Sequence, residues 1–244
     1  YVIPKNDEFF SEFASKDRLK IISNFTGSAG FAIILKKKNY LFVDGRYTIQ
    51  GEIESGRFFK IIKYEKIFNC KLFRNLTLGI DPKLFTSQQL IKYFKKYNKI
   101  KIIEPNLVDN IHDTLPLQSK PFFSLCENIV GENYLNKIKK VSSFLRKKRS
   151  NFLFVSAPEN VAWLLNIRGF DNPNSPMPNC RLLIDDKKKI YLIAKSRSLK
   201  KLIEEKKIKK NQIVEPNNFE NFIRRFRNKK IIMDNKSCSI FYEN

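Results

Sequence analysis

Two glycine-punctuated segments near the amino terminus constrain the fold of this chain more than any other feature. The first is the run Phe-Thr-Gly-Ser-Ala-Gly at residues 25–30, and the second is Asp-Gly-Arg-Tyr at residues 44–47. Between them lie two apolar stretches, residues 31–35 and 40–43, joined by a lysine-rich turn, and this pattern predicts a β-hairpin. The glycines, Gly45 included, are therefore expected where the backbone needs a positive φ or a close approach by another segment.

Strands and helices alternate along both halves of the chain. The elements predicted for the first half are a strand at 1–3, a helix at 7–24, the hairpin, a helix at 46–53, strands at 58–62 and 76–81, a helix at 86–96 and a strand at 99–103. Those predicted for the second half are a helix at 133–148, a strand at 151–155, a helix at 158–165, a hairpin at 181–193, and helices from Leu199 and Asn217, each followed by a strand. This alternation predicts an α/β protein with mixed sheets.

The length of 244 residues accommodates two ordinary domains with their own cores. Residues 113–121 contain two prolines and no periodicity, which is typical of a connector. We therefore expect a first domain at 1–112, a connector at 113–126 and a second domain at 127–244.

Two helices of the second half carry apolar residues that are expected to pack in its core. The helix at 133–148 has an apolar face at three- and four-residue spacing, formed by Leu135, Ile138, Val141, Phe144 and Leu145. On the helix at 158–165, Trp163 and Leu164 are also expected in the core.

The chain is strongly basic, with 47 Lys and Arg against 24 Asp and Glu and a net charge of +23. A phosphate-binding surface would need such a charge. The lysines, however, are spread in short runs along the chain, and the sequence has no RNP-like aromatic motif, zinc-finger spacing or glycine-rich phosphate loop. We expect weak, salt-sensitive binding to nucleic acids and no specific recognition of them.

Further sequence features bear on cellular location and on metal binding. The four cysteines are scattered without a CxxC pair, which favours reduced thiols. No apolar run approaches the roughly 20 residues needed to cross a bilayer, and the first residues lack the layout of a secretory signal. We expect a cytoplasmic protein without membrane contact. The only histidine, His112, is expected to be a surface or helix-end residue rather than a metal ligand.

Several of these residues together resemble the amino-terminal domain of Xaa-Pro aminopeptidases (aminopeptidase P), in the creatinase/prolidase M24 metallopeptidase family. The resemblance rests on residues 1–4 (Tyr-Val-Ile-Pro), the stretch at 7–12, Arg18 and both glycine-punctuated segments. A second block, Glu-Asn-Val-Ala-Trp-Leu-Leu-Asn-Ile-Arg-Gly-Phe-Asp at residues 159–171, is similar to the signature of that family's middle domain. Both blocks occur in the family's order, and the resemblance covers nearly the whole chain.

The resemblance implies two tandem creatinase N-terminal-like domains of ribonuclease-H-like topology, with mixed β-sheets flanked by helices. It also implies a third, carboxy-terminal domain of pita-bread fold, in which aspartates, a histidine and glutamates hold two divalent metal ions, manganese or zinc. Because the chain stops at Asn244, about where that domain would begin, we expect it to be absent. This chain is then expected to hold no catalytic residue, metal or cofactor, and to be inactive alone.

The resemblance further implies where substrate would come close to this chain. Arg168 and Asp171 lead from the helix at 158–165 into a proline-rich loop, which in the family lies toward the catalytic domain. Arg46 is a third candidate for a substrate-proximal position, although Asp44 and Arg46 also predict a local ion pair. For the full enzyme, the resemblance implies short peptides with proline at the second position as substrates, and a homodimer.

The sequence leaves three interpretations of function open. In the first, the chain is the non-catalytic portion of an Xaa-Pro aminopeptidase-like enzyme and shapes substrate access and dimerisation. In the second, it is a stand-alone interaction or dimerisation module without peptidase activity. In the third, it is a basic nucleic-acid-binding protein.

Overall fold

The chain forms two compact units in a computed structural model that describes residues 1–11, 16–69, 73–112, 120–172 and 174–243. Unit 1 comprises Tyr1–Pro116 together with Ser239–Asn244, and unit 2 comprises Leu117–Cys238. The domain limits expected from the sequence (1–112, 113–126 and 127–244) stay a prediction, and residues 113–119 of the expected connector lie outside the described residues.

Unit 1 contains a mixed four-stranded sheet and a separate pair of strands. The strands are β1 (Val2–Pro4), β2 (Gly30–Ile34), β3 (Asn39–Val43), β4 (Lys60–Lys63), β5 (Thr77–Ile80) and β6 (Lys99–Ile102). The larger sheet has the order β1-β2-β3-β4 and is antiparallel except for the parallel pair β3 and β4, while β5 and β6 pair in parallel. The helices are α1 (Arg18–Ser23), α2 (Thr48–Ser55), α3 (Ser87–Leu90), which continues into a π-helical turn (Ile91–Lys95), and α4 (Leu107–Ile111).

Local sequence accounts for much of unit 1. The predicted hairpin is confirmed as β2 and β3, whose apolar residues are buried in the sheet; the rings of Phe31 and Phe42 stack with centroids 4.7 Å apart. Thr86 and Gln89 form a reciprocal capping box that starts α3. Asn24 ends α1 in the left-handed conformation, at φ 62°, which asparagine adopts more readily than most residues.

The helix expected at residues 7–24 is wrong in its first part. Helix α1 begins only at Arg18, and the side chain of Asp17 caps it by accepting a backbone hydrogen bond. Asp7 instead accepts from the backbone N–H groups two and four residues further along the chain, at 2.9 and 3.0 Å. A carboxylate that binds nearby backbone groups in this way competes with helix formation. Residues 12–15 of the expected helix lie outside the described residues.

Unit 2 is built on a mixed five-stranded sheet. The strands of unit 2 are β7 (Phe123–Ser124), β8 (Phe152–Val155), β9 (Ile167–Arg168), β10 (Arg181–Asp185), β11 (Ile190–Ile193), β12 (Ile213–Val214) and β13 (Ile231–Met233). The sheet order is β12-β11-β10-β8-β13, with antiparallel pairing in the centre and parallel strands at both edges; β7 and β9 form a small antiparallel pair. The helices are α5 (Glu127–Val130), α6 (Tyr134–Lys147), α7 (Pro158–Leu165), α8 (Lys200–Glu204) and α9 (Phe219–Ile223).

The end of the described chain returns to unit 1. Helix α10 (Ile240–Glu243) follows an isolated bridge between Thr86 and Ser239, and the N–H of Ile240 donates to the carbonyl oxygen of Phe85 at 2.9 Å. The predicted α/β class with mixed sheets is confirmed in both units, and α7 has the bounds expected from the sequence.

The apolar face expected on α6 is only partly correct. Ile138 and Leu145 are buried, but 60% of Leu135 and 44% of Phe144 remain exposed. The buried side of α6 instead includes Lys137 and Ser142, because their side chains donate hydrogen bonds to the Oδ1 of Asn166 and to the carbonyl oxygen of Asp185. The spacing of the apolar residues predicted the helix. Which side of the helix is buried depends on contacts with residues that are distant in sequence.

Candidate functional site

The Asp44–Arg46 turn in unit 1 forms the predicted local ion pair. Asp44 caps a short 3₁₀ turn (Gly45–Tyr47), and its Oδ1 accepts from the backbone N–H of Arg46 at 3.0 Å and from its Nε at 2.9 Å. These hydrogen bonds hold the pKa of Asp44 below its ordinary value. The Arg46 side chain is 73% exposed and lies over the ring of Tyr47, with 5.4 Å between its Cζ and the centroid. This guanidinium is therefore oriented and open to solvent.

Hydrogen bonds join the two glycine-punctuated segments. Ser28 Oγ lies 2.9 Å from the hydroxyl of Tyr47. Thr26 donates to Glu54 of α2 from its backbone N–H at 2.8 Å and from its Oγ1 at 2.6 Å. These contacts hold both ends of α2 against the loop that precedes β2, the start through Tyr47 and the last turn through Glu54.

Gly27 and Gly30 serve close packing rather than positive φ. A Cβ on Gly30 would lie 2.7 Å from the carbonyl oxygen of Phe42, and one on Gly27 would lie 2.3 Å from the ring of Phe25. Only a glycine accepts these approaches without movement of its neighbours. The expectation for Gly45 is wrong, because a Cβ there would meet nothing within 4 Å and its φ is not positive.

Arg168 in unit 2 lies on β9, directly after α7. Its Nη1 donates to the carbonyl oxygens of Ile167 and Ala162, at 2.8 and 3.3 Å. Because Ala162 belongs to α7, the guanidinium binds the carboxyl end of that helix, where the helix dipole favours a cation. Arg168 is half-buried, and these two hydrogen bonds hold it at the base of the loop that follows.

Asp171 holds that loop by its backbone. One carboxylate oxygen accepts from the N–H of Asn179 at 2.8 Å, and the other accepts from the N–H of Lys120 at 3.3 Å. Burial raises the pKa of Asp171 above its ordinary value, although the two N–H groups oppose this shift. Gly169 lies against the same loop, since a Cβ there would come within 3.0 Å of Pro178. The hydrogen bonds of Asp171 and the close packing of Gly169 thus hold the loop after Arg168 in place.

Sequence reasoning missed the group of residues that orients β9. Asn166 ends α7 in the left-handed conformation and is buried. Its Oδ1 accepts from the Nζ of Lys137 at 2.7 Å, its Nδ2 donates to the carbonyl of Glu132 at 2.9 Å, and its own carbonyl accepts from the backbone of Leu125 at 3.0 Å. The asparagine two residues before Arg168 was the available sequence signal, because asparagine is the usual non-glycine residue at such a helix end.

Trp163 is not a core residue, contrary to the sequence prediction. Its side chain is 60% exposed, whereas Leu164 is buried as expected. The Nζ of Lys137 lies 4.0 Å from the indole centroid and donates to the carbonyl oxygen of Trp163 at 2.8 Å. The indole covers a buried ammonium group rather than filling the apolar core. Burial lowers the pKa of Lys137.

A buried ion cluster supports unit 1. Arg18 is only 2% exposed, and its Nε and Nη2 donate to the two carboxylate oxygens of Asp109 at 2.8 and 3.0 Å. Glu8 accepts from the same Nη2, and Lys16 lies 2.7 Å from Asp109. Asp109 lies on α4, so this cluster ties α4 to α1. Arg18 is part of the sequence resemblance, but its partners are up to 91 residues away.

The described residues do not provide a metal site. No group of three or more His, Cys, Asp and Glu side chains in that part of the chain could hold an ion. His112 is exposed at the end of α4, in agreement with the sequence prediction. Among the described residues, Cys126, Cys180 and Cys238 form no disulfide, whereas Cys70 lies outside this part of the chain. None of the helices formed by the described residues has the length and apolar character needed to cross a bilayer.

Curated relatives of this chain are Xaa-Pro aminopeptidases. The probable Xaa-Pro aminopeptidase P of Laccaria bicolor is 33% identical over 193 residues, which cover 72% of this chain and 30% of the relative. Xaa-Pro aminopeptidase 1 of Dictyostelium discoideum is 30% identical over 221 residues, which cover 81% of this chain and 35% of the relative. The chain therefore spans about a third of the length of these relatives.

A solved structure and a family model agree with these relatives. The X-prolyl aminopeptidase of Caenorhabditis elegans, described as a cytosolic enzyme with a di-nuclear active site, superposes with a TM-score of 0.77 at 23% identity, over 92% of this chain and 39% of that protein. This likeness shows a shared fold. The family model for the creatinase/prolidase N-terminal domain matches residues 113–244, more than half of the chain. The chain therefore belongs to the creatinase/prolidase N-terminal domain family and resembles the amino-terminal portion of Xaa-Pro aminopeptidases.

Proposed function

We propose that this chain is the non-catalytic amino-terminal portion of an Xaa-Pro aminopeptidase-like metallopeptidase, which removes the amino-terminal residue that precedes proline. Its own role is to shape access to the substrate pocket and to contribute to a homodimer. The observation that carries the proposal is the similarity to Xaa-Pro aminopeptidases, at 30–33% identity over 72–81% of this chain. The substrates are short peptides with proline at the second position, and the location is the cytoplasm.

Three side chains are proposed to lie close to the substrate. Arg46 is exposed and oriented by Asp44, so its guanidinium suits a peptide carboxylate or carbonyl. Arg168 and Asp171 bind backbone groups at the base of the loop in unit 2, so they would act by holding the shape of the pocket entrance. None of these three side chains is proposed to transfer a proton.

The metal ions are proposed to be bound outside this part of the protein. Two divalent ions, manganese or zinc, need several carboxylates and usually an imidazole that converge on one point. The described residues do not meet that requirement, since they hold no such cluster and their one histidine is an exposed helix-end residue.

Peptide cleavage tests the proposal. The release of arginine from Arg-Pro-Pro, with added manganese, is measured for this chain and for a longer protein that continues in frame beyond Asn244. We expect activity in the longer protein alone. In that protein, Arg46→Gln should raise KM about tenfold with a smaller change in kcat, because a charge-assisted contact to bound substrate is lost. Arg57→Gln, at an exposed arginine eleven residues later and beyond the end of α2, is the matched control.

Three outcomes would contradict the proposal or a part of it. Cleavage by the 244-residue chain would show a catalytic site within it, and silence in both proteins would favour a stand-alone interaction module. An equal effect of both arginine variants on KM would remove Arg46 from the substrate-proximal set.

A further inference from the structure

Unit 2 has a cleft beside the edge of its main sheet that the peptidase role does not use. The cleft has a volume of about 690 Å³ and is lined by β12, α8, α9 and the turns that join them. Strand β12 is last in the sheet order, so no strand among the described residues pairs with its other side. The apolar part of the wall consists of Ile203, Ile213, Val214 and Phe222.

The polar part of the wall is basic and rich in carboxamides. Lys210, Arg225, Asn211, Asn218 and Asn221 line the cleft, and all five are exposed. Neither Lys210 nor Arg225 forms an ion pair with a described residue, although the adjacent Arg224 pairs with Glu220 at 2.6 Å. Two cations therefore line the cleft without a carboxylate partner in the part of the chain that the structure describes.

The acidic residue of the cleft already has a contact. Glu215 Oε1 accepts from the backbone N–H of Ser196 at 2.8 Å, which ties the end of β12 to the turn after β11. Phe222 is held in place by aromatic neighbours, with its centroid 4.9 Å from that of Tyr191 and 5.3 Å from that of Phe226. A hydrogen bond and aromatic packing thus hold Glu215 and Phe222 of the cleft wall in place.

We propose that this cleft binds an extended, acidic peptide segment of another protein. Backbone groups of such a segment would pair with the asparagine carboxamides, since the N–H of Ile213 in β12 already donates to the carbonyl oxygen of Lys210. Alternate apolar side chains would lie on the wall formed by Val214 and Phe222, and acidic side chains would meet Lys210 and Arg225. Alternation of acidic and apolar residues in the ligand matches both parts of the wall at once.

Charge identifies the partner as a molecule other than this chain. The net charge of +23 opposes the docking of a second copy onto a basic cleft. Nucleic acid satisfies the two cations but not the aliphatic wall, so it is a weaker match than a peptide. The proposal is independent of peptidase activity.

Fluorescence polarisation of a labelled peptide tests the proposal with the 244-residue chain. The probe is fluorescein-labelled Val-Glu-Val-Asp-Val-Glu, and the control peptide has lysine at each acidic position. The double variant Lys210→Gln, Arg225→Gln should raise the Kd for the acidic probe by about tenfold, because both charge contacts are lost. The control double variant Lys187→Gln, Arg227→Gln removes the same charge from exposed positions outside the cleft and should change the Kd by less than about twofold.

Each other result would overturn the proposal. Equal weakening by both double variants would mean that the net charge alone attracts the peptide. Displacement of the probe by millimolar inorganic phosphate would indicate a simple anion site, and stronger competition by oligo(dT) would indicate a nucleic-acid surface. Absence of binding to the unaltered chain would end the peptide interpretation. Circular dichroism confirms that both double variants are folded.

Discussion

Each unit buries a basic side chain, and the two side chains are held in opposite ways. In unit 1, Arg18 lies between the carboxylates of Asp109 and Glu8. In unit 2, Lys137 is bound by a carbonyl oxygen, a carboxamide oxygen and the face of an indole, all of which are neutral. Burial acts on both cations, but only Arg18 has carboxylates in direct contact that neutralise its charge.

The pKa values of the two cations move apart for this reason. Burial alone would lower the pKa of Arg18, but the hydrogen bonds and charges of its two carboxylates outweigh burial and raise it. Burial lowers the pKa of Lys137, and the charge of Glu132 opposes this only in part. In unit 1 the carboxylates thus favour the charged form of the buried cation, whereas in unit 2 burial favours the neutral form.

The largest expected effect is the loss of the unit 1 cluster. Arg18→Leu should lower the free energy of unfolding by about 3 kcal/mol, because two partly buried carboxylates lose their cation. Burial would raise the pKa of Asp109, yet hydrogen bonds from Arg18 and Lys16 hold it below its ordinary 3.8. The stability from this shift is present above pH 3.8 and is lost as pH falls through the lower folded value. Urea unfolding between pH 3 and 7 measures both effects.

Arg57→Leu is the control for this variant. It removes the same charge from an exposed side chain of unit 1, so its free energy of unfolding should stay within about 0.5 kcal/mol of the unaltered chain. If both variants lose equal stability, the buried cluster is not the cause. If the Arg18 variant keeps the full acid dependence, the pKa of Asp109 is set by other groups.

A smaller loss is expected from Lys137→Met in unit 2. The substitution leaves the carbonyl oxygen of Trp163 and the Oδ1 of Asn166 without their shared donor, which should cost about 2 kcal/mol. In the folded chain the pKa of Lys137 lies below the 10.5 of the unfolded chain, so the unfolded state binds more protons between these two values. The contribution of Lys137 to stability therefore rises with pH in that window and levels off above about 10.5.

The difference in free energy of unfolding between the unaltered chain and Lys137→Met isolates this dependence, since all other groups cancel. Guanidinium unfolding at pH 7, 8, 9 and 10 should give a difference that increases with pH. Lys139→Met, at an exposed lysine on the same helix, is the matched control. A difference for Lys137→Met that does not change with pH would show that the pKa of Lys137 is ordinary.

The smallest expected effect is that of Trp163→Leu. An exposed indole over an ammonium contributes about 0.5–1 kcal/mol, far less than a core tryptophan, whose removal costs about 3–5 kcal/mol. Denaturant unfolding followed by circular dichroism measures the loss. A cost in the core range would contradict the exposed position and restore the original sequence prediction.

Local sequence predicted the elements whose causes are local. The hairpins β2–β3 and β10–β11 follow from apolar stretches separated by turn residues, and α7 follows from the proline in its first turn. The ion pair of Asp44 and Arg46 joins residues two positions apart, so it too was accessible. The helix expected at 7–24 failed because Asp7 uses nearby backbone N–H groups for a turn.

Contacts between distant residues explain what the sequence did not reveal. Arg18 binds Asp109, which is 91 residues away, and Lys137 binds Asn166, which is 29 residues away. No local sequence pattern predicts such pairs. Trp163 has helical spacing consistent with a core position, but its exposure depends on where α6 places Lys137. The substrate-proximal roles of Arg46, Arg168 and Asp171 stay predictions, since they depend on groups outside the described residues.

The position of Trp163 makes this protein its own optical probe. It is the only tryptophan in the chain, and its indole lies 4.0 Å from the ammonium of Lys137. A change in charge that close to the ring alters the energy of its excited state, so the emission of the folded chain should follow the protonation of one buried lysine. The difference between alkaline fluorescence titrations of the unaltered chain and of Lys137→Met would then report one lysine among 47 basic residues without any label.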